Sequence, residues 1–382
     1  MEFCAGSKNL MNLMKGKKTK AYLCELIKEK NIPYLDILVK KEHKTVLRCY
    51  DSREKKATGK ENIFLFSCTK PMTVACVLHL VEERKLSLDD EVAKYLPAYA
   101  NTFLKNGEKT KNRMKIRHLL TMTGGLSYRV PQSVKDLLAK TKNKATTIEV
   151  VSQFIKEPLQ FEPGERFEYS FCHDVLAAVV EVASGKRFSE YMREVIFLPL
   201  GMQSMGFHTE QLLEMERLYQ AKISGEIVEI PIENELVFGE NYDSGGAGVI
   251  GTVEDYARFV DLMACGGESE NGYKLLKEET VELLRQETIA SLGVDNSFTC
   301  VQGDDYGYGL GVRVRKKPTE WGLPIGEFGW DGAAGTYIMV DPINKISVVI
   351  GMHLRRWPNV FRGEHLRLVQ CVYEDMIEEG IL

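Results

Sequence analysis

Apolar positions recur along this chain at two periods, and the switch between them marks out its elements. Residues 17–30 carry Leu23, Leu26 and Ile27 on one side, which predicts an amphipathic helix set off by Gly16. Apolar runs at 35–39 and 45–50 flank the polar Lys40-Lys41-Glu42-His43-Lys44 and predict a β-hairpin with a turn of the longer class. A polar loop over 51–61 leads to a short strand at 63–66, after which Met72, Ala75, Cys76 and Leu80 recur at helical spacing. Further helices are predicted near 86–97, closed by Pro97, from Arg117 into the Gly124-Gly125 stop, and over 147–156, 175–183, 191–200 and 253–263. Alternating apolar residues within 223–234 suggest a small strand excursion. Late in the chain Tyr308, Leu310, Val312 and Val314 alternate with Gly309, Gly311, Arg313 and Arg315, the pattern of one half-buried strand. Strands at 327–330, 336–340 and 346–352 follow, and a last helix sets Leu366, Val369, Tyr373 and Met376 on one face.

Consecutive strands joined by short turns make the sheet antiparallel. The expected class is therefore mixed α/β, of the α+β kind: an antiparallel sheet flanked by N- and C-terminal helices, with a large, mainly helical lobe inserted. Residues 1–75 and 285–382 would form the sheet lobe and 76–284 the helical lobe, with the active site between them.

Composition narrows the function classes. The chain has 382 residues, 44% apolar and 27% charged, with a net charge of -4, so it has ample core and no basic footprint for nucleic acid. Residues 1–8 do not read as a secretory leader and no apolar run is long enough to span a membrane. The nine cysteines show neither C-x-x-C pairs nor zinc spacing, which favours reduced thiols and a cytoplasmic location. No metal, cofactor or nucleic-acid partner is expected.

The candidate chemistry starts at Ser67-Cys68-Thr69-Lys70, where an apolar run meets the helix that begins near Met72. Ser67 and Lys70 fall one turn apart, an arrangement that suits a serine nucleophile with a nearby amine and equally suits a helix cap with a solvated lysine. The chain carries its own control, because Ser52-Arg53-Glu54-Lys55 has the same spacing in a polar stretch with no apolar helix behind it. Cys68 leaves the helix about 100° from Ser67 and reads as a packed small residue. His118 has no second group placed to orient it and reads as structural. Tyr169 stands on a loop between the Glu162-Pro163-Gly164-Glu165 turn and an apolar helix, where it either aims into a cleft or packs. The glycine-rich Asp243-Ser244-Gly245-Gly246-Ala247-Gly248 lacks a Gly-Lys-Ser/Thr ending and reads as loop backbone packed closely against a site.

Taken in order, Ser67-Cys68-Thr69-Lys70, Tyr169-Ser170-Phe171 and Trp330-Asp331-Gly332 on a late strand resemble the three motifs of the serine β-lactamase and penicillin-binding-protein superfamily. Class C β-lactamases and family VIII carboxylesterases are the nearest likeness. It runs from the first hairpin to the last helix and includes Arg117-His118-Leu119-Leu120, Pro163-Gly164 and Pro199-Leu200-Gly201-Met202. The resemblance implies a β-lactamase/transpeptidase-like fold in which Ser67 carries an acyl group and Lys70 and Tyr169 share the proton transfers. It also implies oxyanion donors at the backbone N–H groups of Ser67 and Ala333. Two positions depart from the usual pattern: Phe171 replaces an asparagine, and Trp330 replaces a lysine or histidine. Both exchange polar groups for aromatic surface, so the expected substrate pocket of Phe171, Trp330, Asp331 and Gly332 favours neutral esters. The expected function is a carboxylesterase on small to medium esters. Alternatives are a β-lactamase, a D-amino-acid peptidase or amidase, an acyltransferase, and a non-catalytic binder of cell-wall fragments. Arg355 and Arg356 read as a solvated strand end, and the role of Asp331 stays open.

Overall fold

The computed structural model describes residues 14–54, 56–208, 215–292, 303–357 and 360–382. The segment 1–8 that was read for a leader lies outside these residues, as does Lys55 of the second Ser-x-x-Lys.

The expected first hairpin forms from β1 (Tyr34–Lys41) and β2 (Lys44–Ser52). Its turn is tighter than expected, because Lys41 pairs directly with Lys44 and leaves only Glu42 and His43, at φ 48° and 69°, to reverse the chain. Two left-handed residues match the twist of the flanking strands, a geometry usually signalled by Asn-Gly and here carried by side chains that give no such cue. Short strands β3 (Ile63–Phe64), β4 (Leu218–Ala221), β5 (Ile227–Ile230) and β6 (Ile250–Gly251) form two small sheets, the second of them completed by β12 (Leu354–Arg355). The main sheet adds β7 (Tyr306–Tyr308), β8 (Arg313–Arg315), β9 (Phe328–Asp331), β10 (Tyr337–Asp341) and β11 (Ile346–Gly351). Its seven strands lie in the order β2-β1-β11-β10-β9-β8-β7, and every pairing is antiparallel.

The helices are α1 (Lys17–Lys28), α2 (Lys70–Glu82), α3 (Ile116–Leu120), α4 (Gln132–Thr141), α5 (Thr147–Phe154), α6 (Cys172–Ser184), α7 (Phe188–Met192), α8 (Val253–Ala264), α9 (Glu278–Leu284) and α10 (His365–Glu378). The sheet buries both faces. Ile37, Val39, Met339, Val348 and Ile350 point into one core with Leu23 and Leu26 of α1 and Leu368, Val372 and Met376 of α10. Leu38, Trp330, Ile338 and Val349 point the other way, into a larger core with α2, α6 and α8. Period-two alternation thus divides each central strand between two hydrophobic layers. Helix α4 was not expected, although Val134, Leu137 and Leu138 fall at helical spacing; Val134 is its single buried residue.

The alternation over 308–315 is not one strand. It breaks at Gly309 and Gly311 into the β7–β8 hairpin, and Arg313 and Arg315, expected on a solvated face, are 1% and 3% exposed. Pairing overrides their preference for water. Arg313 Nη2 donates to Ile338 O at 2.8 Å and lies 3.4 Å from Glu327 Oε1, while Nη1 lies 3.4 Å from Asp331 Oδ1. Its guanidinium also stacks 4.3 Å from the Tyr337 ring centroid, and Arg315 shares Glu327. Burial pushes the Glu327 carboxyl up, against the pull of both arginines. Removing one partner of such a network leaves charge buried without compensation. Arg313→Met, which keeps volume, is expected to lower stability by about 3–5 kcal/mol, read as a fall in the urea midpoint; an unchanged midpoint would show the network to be neutral.

Candidate active site

Ser67 lies in a tight 3-10 turn, Phe66–Thr69, that joins β3 to α2. The residue before it, Phe66, is fully buried at φ 46°, a left-handed conformation that costs a bulky side chain about 1–3 kcal/mol. Packing of Phe66 with Phe64, Ile250 and Ala334 holds it there. Side chains and backbone from distant parts of the chain pin the turn and the strand before it. Tyr256 of α8 donates its hydroxyl to Cys68 O at 2.6 Å, and Leu65 N–H donates to Val249 O at 3.0 Å. Cys68 Sγ lies 3.6 Å from both Trp330 O and Thr336 O. His353, fully buried, bridges Phe64 N–H to the carbonyls of Glu216 and Arg217, and burial pushes its pKa down to about 4.

Lys70 opens α2 and is fully buried. Its Nζ lies 3.0 Å from Ser67 Oγ and donates to Gly246 O at 2.8 Å. That carbonyl belongs to the glycine-rich loop, which does pack its backbone against the site. Thr73 Oγ1 donates to Gly245 O at 2.6 Å and Thr69 Oγ1 accepts from Val249 N–H at 3.0 Å. Behind the loop, Asp174 of α6 accepts from Tyr242 and Ser244 hydroxyls at 2.7 and 2.6 Å. A Cβ on Gly246 would press on the Asp174 carboxylate, so only glycine lets this backbone reach Lys70.

Tyr169 closes the other side. Its ring centroid lies 4.7 Å from Lys70 Nζ, and its hydroxyl accepts from Trp330 Nε1 at 2.9 Å. Tyr128, for which the sequence carried no signal, meets Tyr169 edge-on with ring centroids 5.5 Å apart. The first residues of the three motifs, with Lys70, therefore converge. Gly332 follows on the β9 edge, where a Cβ would strike Leu65 O, and Ala333 beside it is exposed. Among the described residues neither Ser67 N–H nor Ala333 N–H donates to a backbone carbonyl.

Two of the expected pocket residues sit elsewhere. Asp331 pairs in register with Tyr337, on the sheet face opposite Trp330, and turns to Arg313, so it faces away from Trp330 and Tyr169. Phe171 is 1% exposed, stacked on Phe154 at 4.7 Å and edge-on to Tyr128 at 4.7 Å, which makes it packing beneath the site rather than lining. Arg355 is half-buried against Phe66 and paired with Glu235, so it is engaged rather than simply solvated, whereas Arg356 is exposed. His118 accepts from Lys115 N–H at 3.2 Å, and burial pushes its pKa down to about 4. It is structural, as expected.

A serine bonded to an enclosed amine, with a tyrosine alongside, on a sheet backed by terminal helices defines a serine acyl-transfer fold. The chain belongs to the beta-lactamase family, whose profile matches residues 20–371, and it is a serine hydrolase of that fold. It is 29% identical over 314 residues to the esterase EstB of Burkholderia gladioli, covering 75% of this chain and 76% of that one. Its fold is that of EstCE1, described as a hydrolase with promiscuous acyltransferase activity, at a TM-score of 0.78 and 24% identity over 94% of this chain and 98% of that one. It is also that of simvastatin synthase from Aspergillus terreus, at a TM-score of 0.75 and 19% identity over 97% and 100%.

Burial, with Asp331 nearby, pushes the Cys68 thiol well above the ordinary range and leaves it unreactive as a thiolate. Iodoacetamide at pH 8 is expected to leave Cys68 unmodified in the folded protein, by peptide mass mapping, with hydrolysis intact; activity lost in step with Cys68 labelling would reverse the assignment.

Proposed function

We propose that the protein hydrolyses small to medium carboxylic esters through an acyl-enzyme on Ser67. The observation that carries this is the 3.0 Å contact between Ser67 Oγ and Lys70 Nζ, with Lys70 enclosed and donating a further hydrogen bond to a main-chain carbonyl. Ser67 Oγ attacks the ester carbonyl and passes its proton to Lys70 Nζ. The unbonded N–H groups of Ser67 and Ala333 receive the oxyanion. Tyr169, held by the Trp330 indole, returns a proton to the leaving alkoxide, and water then attacks the acyl-enzyme by the reverse route.

Ester preference rests on what the motif residues no longer offer. Trp330 supplies a donor and no charge, and it spends that donor on Tyr169. Phe171 has no amide for an acylamino group and is closed into the core. Arg355 is engaged by Glu235. A substrate carboxylate thus finds none of the anchors that the motif would usually supply, and the similarity to EstB points the same way. The same acyl-enzyme transfers to an alcohol where one outcompetes water, the activity named for EstCE1. Among the described residues seven cysteines are free, which suits a reducing compartment such as the cytoplasm, and no described helix is long and apolar enough to cross a membrane.

Ser67→Ala is expected to lower p-nitrophenyl butyrate hydrolysis by roughly 10⁴-fold or more, and full activity in that variant would refute the acyl-enzyme. Trp330→Phe keeps the ring but removes the donor, with kcat expected to fall about tenfold, the equivalent of one hydrogen bond, while KM changes little. Phe171→Asn tests the branch: restoring the amide is expected to shift the ratio of ester to cephalosporin turnover, and unchanged rates for both would remove the role given to this position.

A further inference from the structure

On the far side of α8 from the nucleophile turn, three side chains of metal-binding type converge outside the site described above. His43 stands in the β1–β2 turn, and Asp261 and Cys265 lie four residues apart at the C-terminal end of α8, on one helical face. One donor atom from each falls within 4.8 Å of the others. His43 Nδ1 is 2.9 Å from Asp261 Oδ2, and the His43 backbone N–H donates to the Cys265 sulfur. Asp261 is 2% exposed, yet its Oδ1 has no hydrogen-bond partner. A carboxylate oxygen buried without a partner costs free energy, and a cation is the ligand that would satisfy it.

We infer that His43, Asp261 and Cys265 bind a divalent transition ion of the zinc class. Imidazole, carboxylate and thiolate together suit a borderline ion and not calcium or magnesium, which take oxygen ligands. Three protein ligands leave a fourth position, for water or a small ligand, facing an adjoining cavity of about 620 Å³ lined in part by Lys40, His43, Lys44, Arg258 and Asn271. The Lys40 ammonium lies 3.3 Å from Asp261 Oδ2 and neutralises that carboxylate when no ion is bound. On binding, the metal–sulfur, metal–nitrogen and metal–oxygen bonds form, the Cys265 S–H bond breaks, and its proton passes to solvent. Lys40 withdraws along its flexible stem toward the cavity. The ion would clamp the hairpin tip to α8, the helix whose Tyr256 holds Cys68 O beside the nucleophile.

The test is titration of the purified full chain with Co²⁺, read by near-ultraviolet sulfur-to-cobalt charge-transfer absorption, followed by displacement with Zn²⁺. The band is expected in the native protein and absent in Cys265→Ser. His43→Asn, which tolerates the left-handed turn, should weaken binding at least tenfold. Zn²⁺ should raise the thermal midpoint of the native protein and not that of Cys265→Ser, with ester hydrolysis by Cys265→Ser at the native rate without metal. No band in the native protein, a band surviving in Cys265→Ser, or equal affinity in His43→Asn would overturn the site.

Discussion

The structure turns on one constraint: a lysine nitrogen, wholly removed from water, must have its polar contacts met by protein. Lys70 finds Ser67 Oγ on one side and the Gly246 carbonyl on the other. The second contact demands that a loop from far along the chain press its bare backbone onto α2, and much of the surrounding structure enforces that approach. Thr69 and Thr73 bind the loop from the helix side, and Asp174 gathers it from behind through Tyr242 and Ser244. Burial raises the pKa of the Asp174 carboxyl, while the Ser244 and Tyr242 hydroxyls draw it back toward ionisation. The serine is thus placed by a network of main-chain contacts, in which side chains act mostly as clasps.

The sheet contributes separation. Alternation along β9 sends Trp330 toward Tyr169 and Asp331 toward Arg313, so the third motif serves two cores at once. The buried arginine–carboxylate group lies on the sheet face away from Trp330. It fixes the strand whose edge carries Gly332 and Ala333, and Cys68 ties that same strand to the Ser67 turn through Trp330 O.

Much of this was legible in the sequence because it is periodic or local. The first hairpin, both terminal helices and α2 follow from spacing of apolar residues, and Ser67, Lys70 and Tyr169 from motifs whose order could be compared. What escaped depends on contacts between distant segments. Arg313 looks solvated until Glu327 and Asp331 are brought beside it. Phe171 looks like pocket lining because its motif lies at the site, but Phe154 from α5 covers it. Nothing local announces that Phe66 adopts a left-handed backbone, since the packing that forces it comes from Ile250 and Ala334. The glycine-rich loop was readable as a close packer, though not its partner: a hydrogen bond to main chain leaves no trace in residue identity.

Replacing a cation by tryptophan in the third motif changes more than substrate charge. A lysine or histidine there can both attract a carboxylate and exchange a proton, whereas an indole N–H only donates. Trp330 Nε1 therefore fixes one lone pair of the Tyr169 oxygen without adding net charge to the site. Because the donor is used within the protein, it cannot reward an anionic substrate, and binding selectivity passes to shape and apolar contact. Proton transfer and substrate choice, joined in one residue where the motif carries a cation, are separated here: Tyr169 keeps its donor while the site gives up a reason to prefer acids.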